Sequence, residues 1–496
     1  MIEIYATALS YRISVSPQGL LLGTMFNLER YLRRFNQMTW NHQMRRMILH
    51  RRYVHYVHKT KMLYLPRYDL SDFCQTLTEM GIPHRVSYLP LQDGLSVEIK
   101  LKPGVRPRNE IQEDAINYLA TNQEPLRGLS LLPGMGKTYC TIDTLSRIGR
   151  RSIVSVGGLV DQWERAVYDF TELTEADVYI IRGAPSLTKL LTQIDRNIHP
   201  KIILCSLGTM RNYVLDNKAY ENYPSIDELM DRLKIGVRVI DEAHLNFWLS
   251  LMLDLRTNAR INIALTATFD RTDSQVHKIF HAHYPRYIRH GEEIVDRYVD
   301  IYSYSYSLNG VIPVKAYTTP KGYNHSKLED YLLRRAPSKL EYIYATVYSP
   351  AIFAHYVNNY KPGEKLLILC STVAMCEWFQ KRLAQDLPQQ MNLKFATYVS
   401  ETGDAVLVDS DVILSTVGSA GTGTDIKQLK TVLMTIATGS NVTNRQTLGR
   451  LRHLGSGDTP IYIYSWCRDF QPHQNYQTTR KGTFTVLGKT FTEVNL

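Results

Sequence analysis

A glycine-rich turn that ends in lysine and threonine constrains the fold of this chain more than any other segment. The turn is Leu132-Pro133-Gly134-Met135-Gly136-Lys137-Thr138, between a strand-like run at 127–132 and a helix-like run at 139–148. Backbone N–H groups of such a turn surround a phosphate chain at a helix N-terminus, the ammonium reaches the β- and γ-phosphates, and the hydroxyl binds Mg²⁺. Leu131 stands where the full signature has its first glycine. Alone, the run fits a surface turn equally well.

A pair of carboxylates after a second apolar run strengthens the phosphate interpretation. Val237-Arg238-Val239-Ile240 is typical of a buried strand, and Asp241 and Glu242 follow it directly. In-line attack on a γ-phosphate needs one carboxylate that holds Mg²⁺ and a neighbour that polarises water. An isolated Asp-Glu pair is more often a solvated strand end. After a phosphate-binding turn we favour the catalytic interpretation, with ATP and Mg²⁺ as cofactors and with Thr138 and Asp241 as metal ligands.

Two further motifs follow in order: Thr266-Ala267-Thr268 and Gln446-Thr447-Leu448-Gly449-Arg450. With Asp241-Glu242-Ala243-His244, the set resembles a superfamily 2 DNA helicase of the DEAH-box type, over about residues 106–452. The resemblance implies an α/β fold with two RecA-like parallel-sheet motor lobes, and a nucleic-acid-dependent ATP hydrolase. In such enzymes the cleft between the lobes closes on ATP and reopens after hydrolysis.

The resemblance assigns roles to residues of the first lobe. The segment 106–112 is similar to a Q-type motif, in which Gln112 contacts the adenine edge and Arg108 packs on the base. Gly134, Met135, Gly136, Lys137 and Thr138 would hold the phosphates. Residues 159–163 are similar to motif Ia, so that Gln162, together with Thr209, would contact nucleic acid. His244, Thr266 and Thr268 would couple the state of the bound ATP to the binding of nucleic acid. Without the resemblance, Gln112 is an ordinary helix residue and Trp163 a core residue.

The second lobe carries the corresponding segments. Lys365–Cys370 resembles motif IV, and Ser415-Thr416 with 421–426 resembles motif V. Thr416 would then contact nucleic acid, and Asp425 and Gln446 would face the nucleotide. A glycine-rich stretch of this kind, taken alone, could be only a flexible loop.

The last motif departs from the family pattern. The family usually has a second arginine three residues after the first, whereas His453 occupies that place here and Arg452 precedes it. The resemblance implies that Arg450 is the arginine finger. Arg452 either takes the role of the second arginine or contacts solvent or nucleic acid, and both alternatives stay open.

Positive charge is concentrated at the front of the chain. The net charge is +11 over 496 residues, and residues 1–108 contribute 16 Lys/Arg against 7 Asp/Glu, or +9. In the densest part, 45–59, basic and aromatic residues alternate, which favours phosphate neutralisation and base stacking. Arg45, Arg46, Arg51 and Arg52 are therefore candidate nucleic-acid contacts. The alternative is a strand hairpin with a solvated basic face.

Composition indicates a globular protein, and its cysteine usage is typical of a reducing compartment. The hydrophobic fraction is 44% and the charged fraction 21%, and no run of 18 apolar residues suggests a membrane span. Six scattered cysteines lack a Cys-x-x-Cys pair, which favours a reducing cytoplasm (the host cytoplasm for a phage-encoded protein) over a zinc or disulfide framework. No secretion signal is expected, because a basic-then-apolar start is missing.

We expect four segments. A basic nucleic-acid-binding module at 1–104 is similar, by pattern and position, to the accessory domain of phage UvsW-like and XPB-like branch-migration helicases. It precedes lobe 1 at 105–295, lobe 2 at 296–470 and a polar tail at 471–496 without an assigned function. Two prolines and a glycine at 103–107 make a plausible first boundary.

The resemblance implies an ATP-dependent DNA helicase or translocase on branched or forked DNA, acting in phage-type replication, recombination or repair by branch migration, fork regression, unwinding or reannealing. Recombination proteins and single-strand-binding proteins are candidate partners. An RNA helicase and the motor subunit of a restriction or remodelling complex remain alternatives. A catalytically idle binding module is disfavoured by the intact Lys137, Asp241 and Glu242. Strand polarity, junction preference and oligomeric state are not encoded in any motif.

Overall fold

The computed structural model describes residues 1–16, 19–41, 44, 46–132, 134–157, 160–215, 222–245, 247–269, 274–291, 297–308, 310–320, 322–387, 391–399, 405–420, 426–454 and 456–496. Arg45 and Asp425, two of the predicted contact residues, lie outside this part of the chain. The chain divides into two compact units, Met1–Leu131 with Met135–Glu293, and Leu132–Gly134 with Ile294–Leu496.

The first unit begins with a small α/β module. Its five-stranded sheet has the order β5-β6-β2-β1-β7, in which only β1 and β7 run parallel, and β3 and β4 form a separate hairpin. Helix α2 buries Leu70, Phe73 and Leu77, a spacing that puts one apolar face on the sheet. The elements are β1 (Ile2–Ala6), β2 (Ser10–Ser14), α1 (Glu29–Leu32), a 3₁₀ turn (Arg33–Phe35), β3 (Asn36–Asn41), β4 (Arg46–Arg52), β5 (His55–Val57), β6 (Met62–Pro66), a 3₁₀ turn (Arg67–Asp69), α2 (Leu70–Glu79) and β7 (His84–Tyr88).

The rest of the first unit is a RecA-like lobe. Its seven-stranded sheet is parallel throughout, in the order β10-β11-β9-β12-β13-β8-β14. Strands β8, β9, β12 and β13 are buried along their whole length, as expected when helices cover both faces of a parallel sheet. The elements are α3 (Glu110–Thr121), β8 (Leu126–Ser130), α4 (Lys137–Ile148), β9 (Ser152–Val156), α5 (Val160–Phe170), β10 (Val178–Ile181), α6 (Ala184–Asp195), β11 (Ile202–Ser206), α7 (Leu207–Val214), α8 (Ile226–Leu233), β12 (Val237–Ile240), α9 (Phe247–Leu255), β13 (Ile261–Thr266), α10 (Ser274–His283), a 3₁₀ turn (Arg286–Ile288) and β14 (Arg289–His290).

The front module and this lobe share one hydrophobic core. Polar contacts reinforce it. Tyr64 donates its hydroxyl hydrogen to Asp227 Oδ2 over 2.8 Å, and Arg256 Nε lies 3.0 Å from Asp227 Oδ1. Ser10 donates to the Leu255 carbonyl over 2.9 Å. The module is therefore packed on the lobe through both apolar and charged groups.

The second unit is a second RecA-like lobe. Its seven-stranded sheet is also parallel, in the order β19-β20-β18-β21-β22-β15-β23, and β16 and β17 form a short hairpin. The elements are β15 (Asp300–Tyr306), a 3₁₀ turn (Val314–Ala316), β16 (Thr318–Thr319), β17 (Gly322–Tyr323), α11 (His325–Arg335), α12 (Pro337–Ile343), a π turn (Tyr344–Tyr348), α13 (Ser349–His355), a 3₁₀ turn (Val357–Asn359), β18 (Lys365–Cys370), α14 (Val373–Asp386), β19 (Phe395–Tyr398), α15 (Ala405–Asp409), β20 (Val412–Thr416), α16 (Val417–Ala420), β21 (Leu429–Met434), α17 (Asn441–Leu448), β22 (Ile461–Cys467), α18 (Gln471–Leu487) and β23 (Thr490–Asn495).

The last 26 residues are an integral part of this lobe. Helix α18 packs on β22, and β23 pairs with β15 along the edge of the sheet. The helix-like run expected at 342–357 is divided by the π turn, because Pro350 in the first turn of α13 has no N–H to donate to the preceding turn. Among the described helices, none has both the length and the apolar content needed to cross a membrane.

Candidate nucleotide-binding site

The glycine-rich turn folds as the entrance to α4. Gly136 precedes the helix with φ of +95°, and a Cβ at this position would lie 2.3 Å from Gln112 Nε2. Both the left-handed backbone and the close approach of the side-chain amide require glycine here. Gln112 Nε2 donates to the Met135 carbonyl over 2.9 Å, and its Oε1 accepts the Arg108 N–H over 2.9 Å. The predicted adenine contact is thus a buried amide that connects the segment 106–112 to the turn.

Lys137 and Thr138 occupy the first turn of α4, where unpaired N–H groups and the helix dipole favour a phosphate. Lys137 donates its ammonium to the Leu131 carbonyl over 2.9 Å, and its Nζ lies 4.0 Å from Glu242 Oε1. The departure at Leu131 is therefore accommodated. Its side chain is buried in the core, and its backbone carbonyl supplies the lysine contact.

The two carboxylates lie at the carboxyl end of β12, as the sequence predicts. Asp241 accepts the indole N–H of Trp163 over 2.9 Å at Oδ2, and the backbone N–H of Glu242 over 3.0 Å at Oδ1. Burial, and then the neighbouring Glu242 charge, raise the pKa of Asp241 to about 6, against the opposing effect of Lys137. From the sequence alone, Trp163 is expected to be a core residue. It is buried, and it also orients this carboxylate, a contact that spans 78 positions and has no local sequence signal.

These residues fit a divalent cation. Glu242 has a left-handed φ of +51°, a conformation that is strained for a residue with a Cβ. Its Oε2 is buried and accepts no hydrogen bond from the part of the chain that the structure describes. The adjacent carboxylates of Asp241 and Glu242, with the Thr138 hydroxyl at the start of α4, are oxygen donors of the kind that Mg²⁺ takes together with phosphate and water.

A histidine and two threonines connect the ends of β12 and β13. Thr266 donates its hydroxyl hydrogen to the Thr268 carbonyl over 2.6 Å and accepts the Thr268 N–H over 3.0 Å. His244 Nδ1 lies 2.7 Å from the same hydroxyl, within hydrogen-bonding distance. The same Nδ1 lies 3.3 Å from Glu242 Oε2. The structure thus brings together the three residues to which the resemblance gives a coupling role.

In the second lobe, Gln446 lies on α17 and Arg450 follows that helix, and both are buried. The Arg452 guanidinium donates to the carbonyls of Gly449 and Leu451, in the latter case over 3.0 Å. The His453 ring stacks on Tyr298 with 4.1 Å between centroids. The side chain of Arg452 therefore folds back on its own turn, and His453 is used in packing.

Helix α18 forms hydrogen bonds to α17 and to the segment before it, and these contacts are not expected from the sequence. The buried Arg480 donates from Nη2 to the Ile436 carbonyl over 2.5 Å and from Nε to Asn444 Oδ1 over 3.3 Å. Thr483 donates to Asn441 Oδ1 over 2.8 Å. Three of the five inward-facing residues of α18 are polar. The spacing of apolar residues therefore does not reveal this helix, and from the sequence alone the segment is expected to be a polar tail. The buried positions are His473, Gln477, Arg480, Phe484 and Leu487.

The predicted nucleic-acid contacts have different environments. Gln162 lies half-buried on α5, and Thr209 is buried on α7, where its hydroxyl accepts the Gly183 N–H over 2.9 Å. Thr416 ends β20, and its hydroxyl accepts the Ser419 N–H over 3.3 Å. Strands β9 and β11 are parallel neighbours, so α5 and α7 begin at the same edge of the first sheet.

Arg46, Arg51 and Arg52 lie on β4. Arg46 and Arg51 are exposed. Arg52 pairs with Glu29, with Nη2 2.7 Å from Oε1, and donates from Nε to Asn36 Oδ1 over 2.9 Å. In this structure Arg52 therefore stabilises the base of the hairpin.

Neither a protein-family model nor a curated protein matches the sequence. Solved structures do match. The ATP-dependent Type ISP restriction-modification enzyme LlaBIII, bound to DNA, is 12% identical over 80% of this chain and 32% of its own, with a TM-score of 0.50. This likeness shows the fold alone, which is that of two RecA-like lobes. S. cerevisiae Dbp5 bound to RNA and ADP BeF3 is 14% identical over 78% of this chain and 89% of its own, with a TM-score of 0.49. T4 UvsW is 11% identical over 100% of this chain and 99% of its own, with a TM-score of 0.36.

Proposed function

We propose that this chain is an ATP-driven motor that moves along DNA, of the DEAH-box, branch-migration type. The observation that carries the proposal is the arrangement at one edge of the first sheet. Strands β8, β13 and β12 are successive neighbours, and the phosphate turn, the threonine motif and the carboxylate pair follow them at their carboxyl ends. Ligands bind at this edge in α/β sheets.

Each residue has a definite task in the proposed reaction. Lys137 and the N-terminus of α4 bind the β- and γ-phosphates of ATP. Thr138 and Asp241 would hold Mg²⁺, which would neutralise charge on the phosphate oxygens. Glu242 orients and polarises the attacking water, and its carboxylate accepts the proton. Trp163 holds Asp241 in place. Gln112 positions the turn and contacts adenine with Arg108. In the second lobe, Gln446 and Arg450 are the residues that we assign to the nucleotide, with Arg450 as the arginine finger.

Coupling to nucleic acid follows from the histidine and threonine contacts. The Nδ1 of His244 is within reach of both Glu242 and Thr266, so a change at the γ-phosphate alters the ends of β12 and β13 together. We propose that Gln162, Thr209 and Thr416 contact the tracking strand, with Asp425 at the nucleotide. Arg46 and Arg51, with Arg45, bind phosphates from the front module. The six cysteines are all free thiols, which supports a reducing, cytoplasmic location.

The substrate class is tested by ATP hydrolysis in the presence of single-stranded DNA, forked DNA, four-way junctions and RNA. We expect stimulation by DNA, strongest with branched molecules, in line with action at forks or recombination junctions. The basic front module supports a nucleic-acid partner of either kind. Stimulation by RNA alone would replace the DNA assignment by an RNA helicase. Stimulation by linear duplex without a branch preference would favour a restriction-type translocase.

Reversing two exposed arginines of the front module should weaken nucleic-acid binding and reduce its salt dependence. For Arg46→Glu with Arg51→Glu, the log–log salt slope on duplex DNA should fall by about 0.9 for each phosphate that the protein no longer neutralises. Arg52 is left unchanged because it pairs with Glu29. The matched control is Lys189→Glu with Lys381→Glu, which reverses the same charge on exposed helix positions. Equal slopes for the two double variants would mean that the β4 arginines form only a solvated face.

Breaking the hydrogen bonds between α17 and α18 should lower turnover more than ATP affinity. We expect Arg480→Met to reduce kcat by about 10²-fold with a small change in KM, because a small displacement of α17 misplaces Arg450. Arg480→Lys, which keeps a donor, should recover part of the rate. Lys481→Gln, at an exposed position of the same helix, should behave as the parent. Steady-state kinetics with a thermal melt of each variant distinguishes this result from simple unfolding, in which the melting temperature and KM would change together with kcat.

A further inference from the structure

The hairpin β3–β4 exposes an apolar face. Its register places Trp40 opposite Met47 and Met38 opposite Leu49, and directly opposed residues share one face of an antiparallel pair. Trp40 is 50% exposed, Met47 46% and Leu49 45%. Met44, in the turn between the strands, is 59% exposed. Exposed large side chains that adjoin one another on one face are unusual on a folded surface, and they mark a place where another molecule binds.

The charge of the same hairpin indicates the chemical class of the molecule that binds there. Residues 36–52 contain four arginines and no aspartate or glutamate. Arg46 is opposite Asn41 and Arg51 is opposite Gln37, so both arginines lie on the face of the hairpin away from Trp40. A second copy of this hairpin would bring like charges together. An apolar face on a hairpin whose other face carries guanidinium groups instead matches a ligand with flat apolar surfaces and a phosphate backbone.

The base of the hairpin is joined to the helix that follows the carboxylate motif. The Tyr53 ring, directly after β4, stacks on Phe247 with 5.6 Å between centroids, and Trp248 donates its indole N–H to the Arg52 carbonyl over 3.0 Å. The Arg51 guanidinium lies 5.7 Å from the centre of the Trp248 ring. Phe247 begins α9, three residues after His244. The hairpin therefore has a packed base, although its outer part is exposed.

We propose that the face formed by Trp40, Met47 and Leu49 binds the exposed bases of an unpaired nucleic-acid strand, while Arg46 and Arg51 on the other face of the hairpin attract its phosphate backbone. This inference rests on the proposed function and adds a site that distinguishes unpaired from paired strands. Stacked bases in a duplex offer their flat surfaces only at the ends, whereas an unpaired strand offers one at every nucleotide. Rings and thioethers on the hairpin bind these surfaces without sequence preference.

The test measures binding of labelled oligothymidine and of a blunt duplex of equal length by the full chain. We expect Trp40→Ala to bind the single strand between about fivefold and about 150-fold more weakly, the range observed when one base-stacking side chain is removed. Duplex affinity should change much less, and Trp40→Phe should keep most of the single-strand affinity. Thr39→Ala, on the opposite face, is the matched control. Quenching of tryptophan fluorescence by oligothymidine should be smaller in Trp40→Phe than in the parent.

Other outcomes overturn the inference. Parent-like single-strand binding by Trp40→Ala, or an equal loss on single strand and duplex, would show that the face does not bind bases. If Trp40→Ala weakens binding only to phosphatidylserine vesicles, the face binds a lipid surface. If Trp40→Ala changes only the sedimentation coefficient, the face binds a second copy of the chain. If the parent binds neither oligonucleotide, the proposed function itself fails. If the parent binds and Trp40→Ala is neutral, only the hairpin inference fails.

Discussion

Arg450→Ala is expected to lower nucleic-acid-stimulated ATP turnover by about 10³–10⁵-fold, the range for loss of a transition-state guanidinium in phosphoryl-transfer enzymes. ATP affinity should change little, because the charge that the guanidinium offsets develops only during transfer. Arg450 is buried directly after α17, where a long side chain has a restricted set of positions. The measurement is kcat at saturating nucleic acid, with the Kd of a non-hydrolysable ATP analogue as the second value.

Arg452 supplies the comparison for this variant. Its guanidinium donates to the Gly449 and Leu451 carbonyls, so Arg452→Ala removes hydrogen bonds within its own turn. If Arg452 is only a local contact, turnover should stay within a few-fold of the parent. If it takes the second arginine's role, turnover should fall as far as in Arg450→Ala, and adding His453→Arg should restore part of it. Near-normal turnover in Arg450→Ala would refute the finger assignment whatever Arg452 does.

Glu242→Gln should preserve ATP binding and lower hydrolysis by about 10²–10⁴-fold, the usual contribution of a general base. The amide keeps the shape of the side chain but cannot accept the proton of the attacking water. Because Glu242 also contributes to the raised pKa of Asp241, the substitution should lower that pKa and leave Asp241 ionised as a metal ligand.

The control for Glu242→Gln is Glu175→Gln, an exposed carboxylate of the first lobe. It should hydrolyse ATP at the parent rate. Rapid-quench measurement of a single turnover separates the hydrolysis step from product release. A normal single-turnover rate in Glu242→Gln would move the base to another residue, for which His244, with Nδ1 3.3 Å from Glu242 Oε2, is a candidate.

The parts of the fold that the sequence predicts are those with local signals. The strands Val237–Ile240 and Lys365–Cys370 are largely apolar runs with one charged residue each, and both have the predicted bounds. The helix expected from residue 139 begins two residues earlier, because Gly136 adopts the left-handed conformation and Lys137 is then the first helical residue. Ordered motifs between such strands are sufficient to predict two parallel-sheet lobes.

The contacts that orient these motifs are long-range and polar, and they have no sequence signal. Trp163 reaches Asp241 through an indole N–H, a contact that no spacing in the chain encodes. Arg480 supports α17 from a helix whose inner face is largely polar, so apolar periodicity underestimates its burial. The basic character of the hairpin β3–β4 is evident in the sequence, but its apolar face depends on the pairing of Trp40 with Met47 and of Met38 with Leu49, which the sequence does not specify.

The most direct test of the central claim is ATP hydrolysis by the full chain, with and without nucleic acid, for the parent and for Lys137→Ala. The ammonium lies between the Leu131 carbonyl and Glu242, at the start of α4, so the substitution removes the phosphate contact without removing a core side chain. We expect a stimulated rate in the parent. In Lys137→Ala the rate should fall by at least about 10²-fold, as when one electrostatic partner of the reacting group is removed, with an unchanged melting temperature and unchanged nucleic-acid binding. A folded Lys137→Ala protein that hydrolyses ATP at the parent rate would contradict the account.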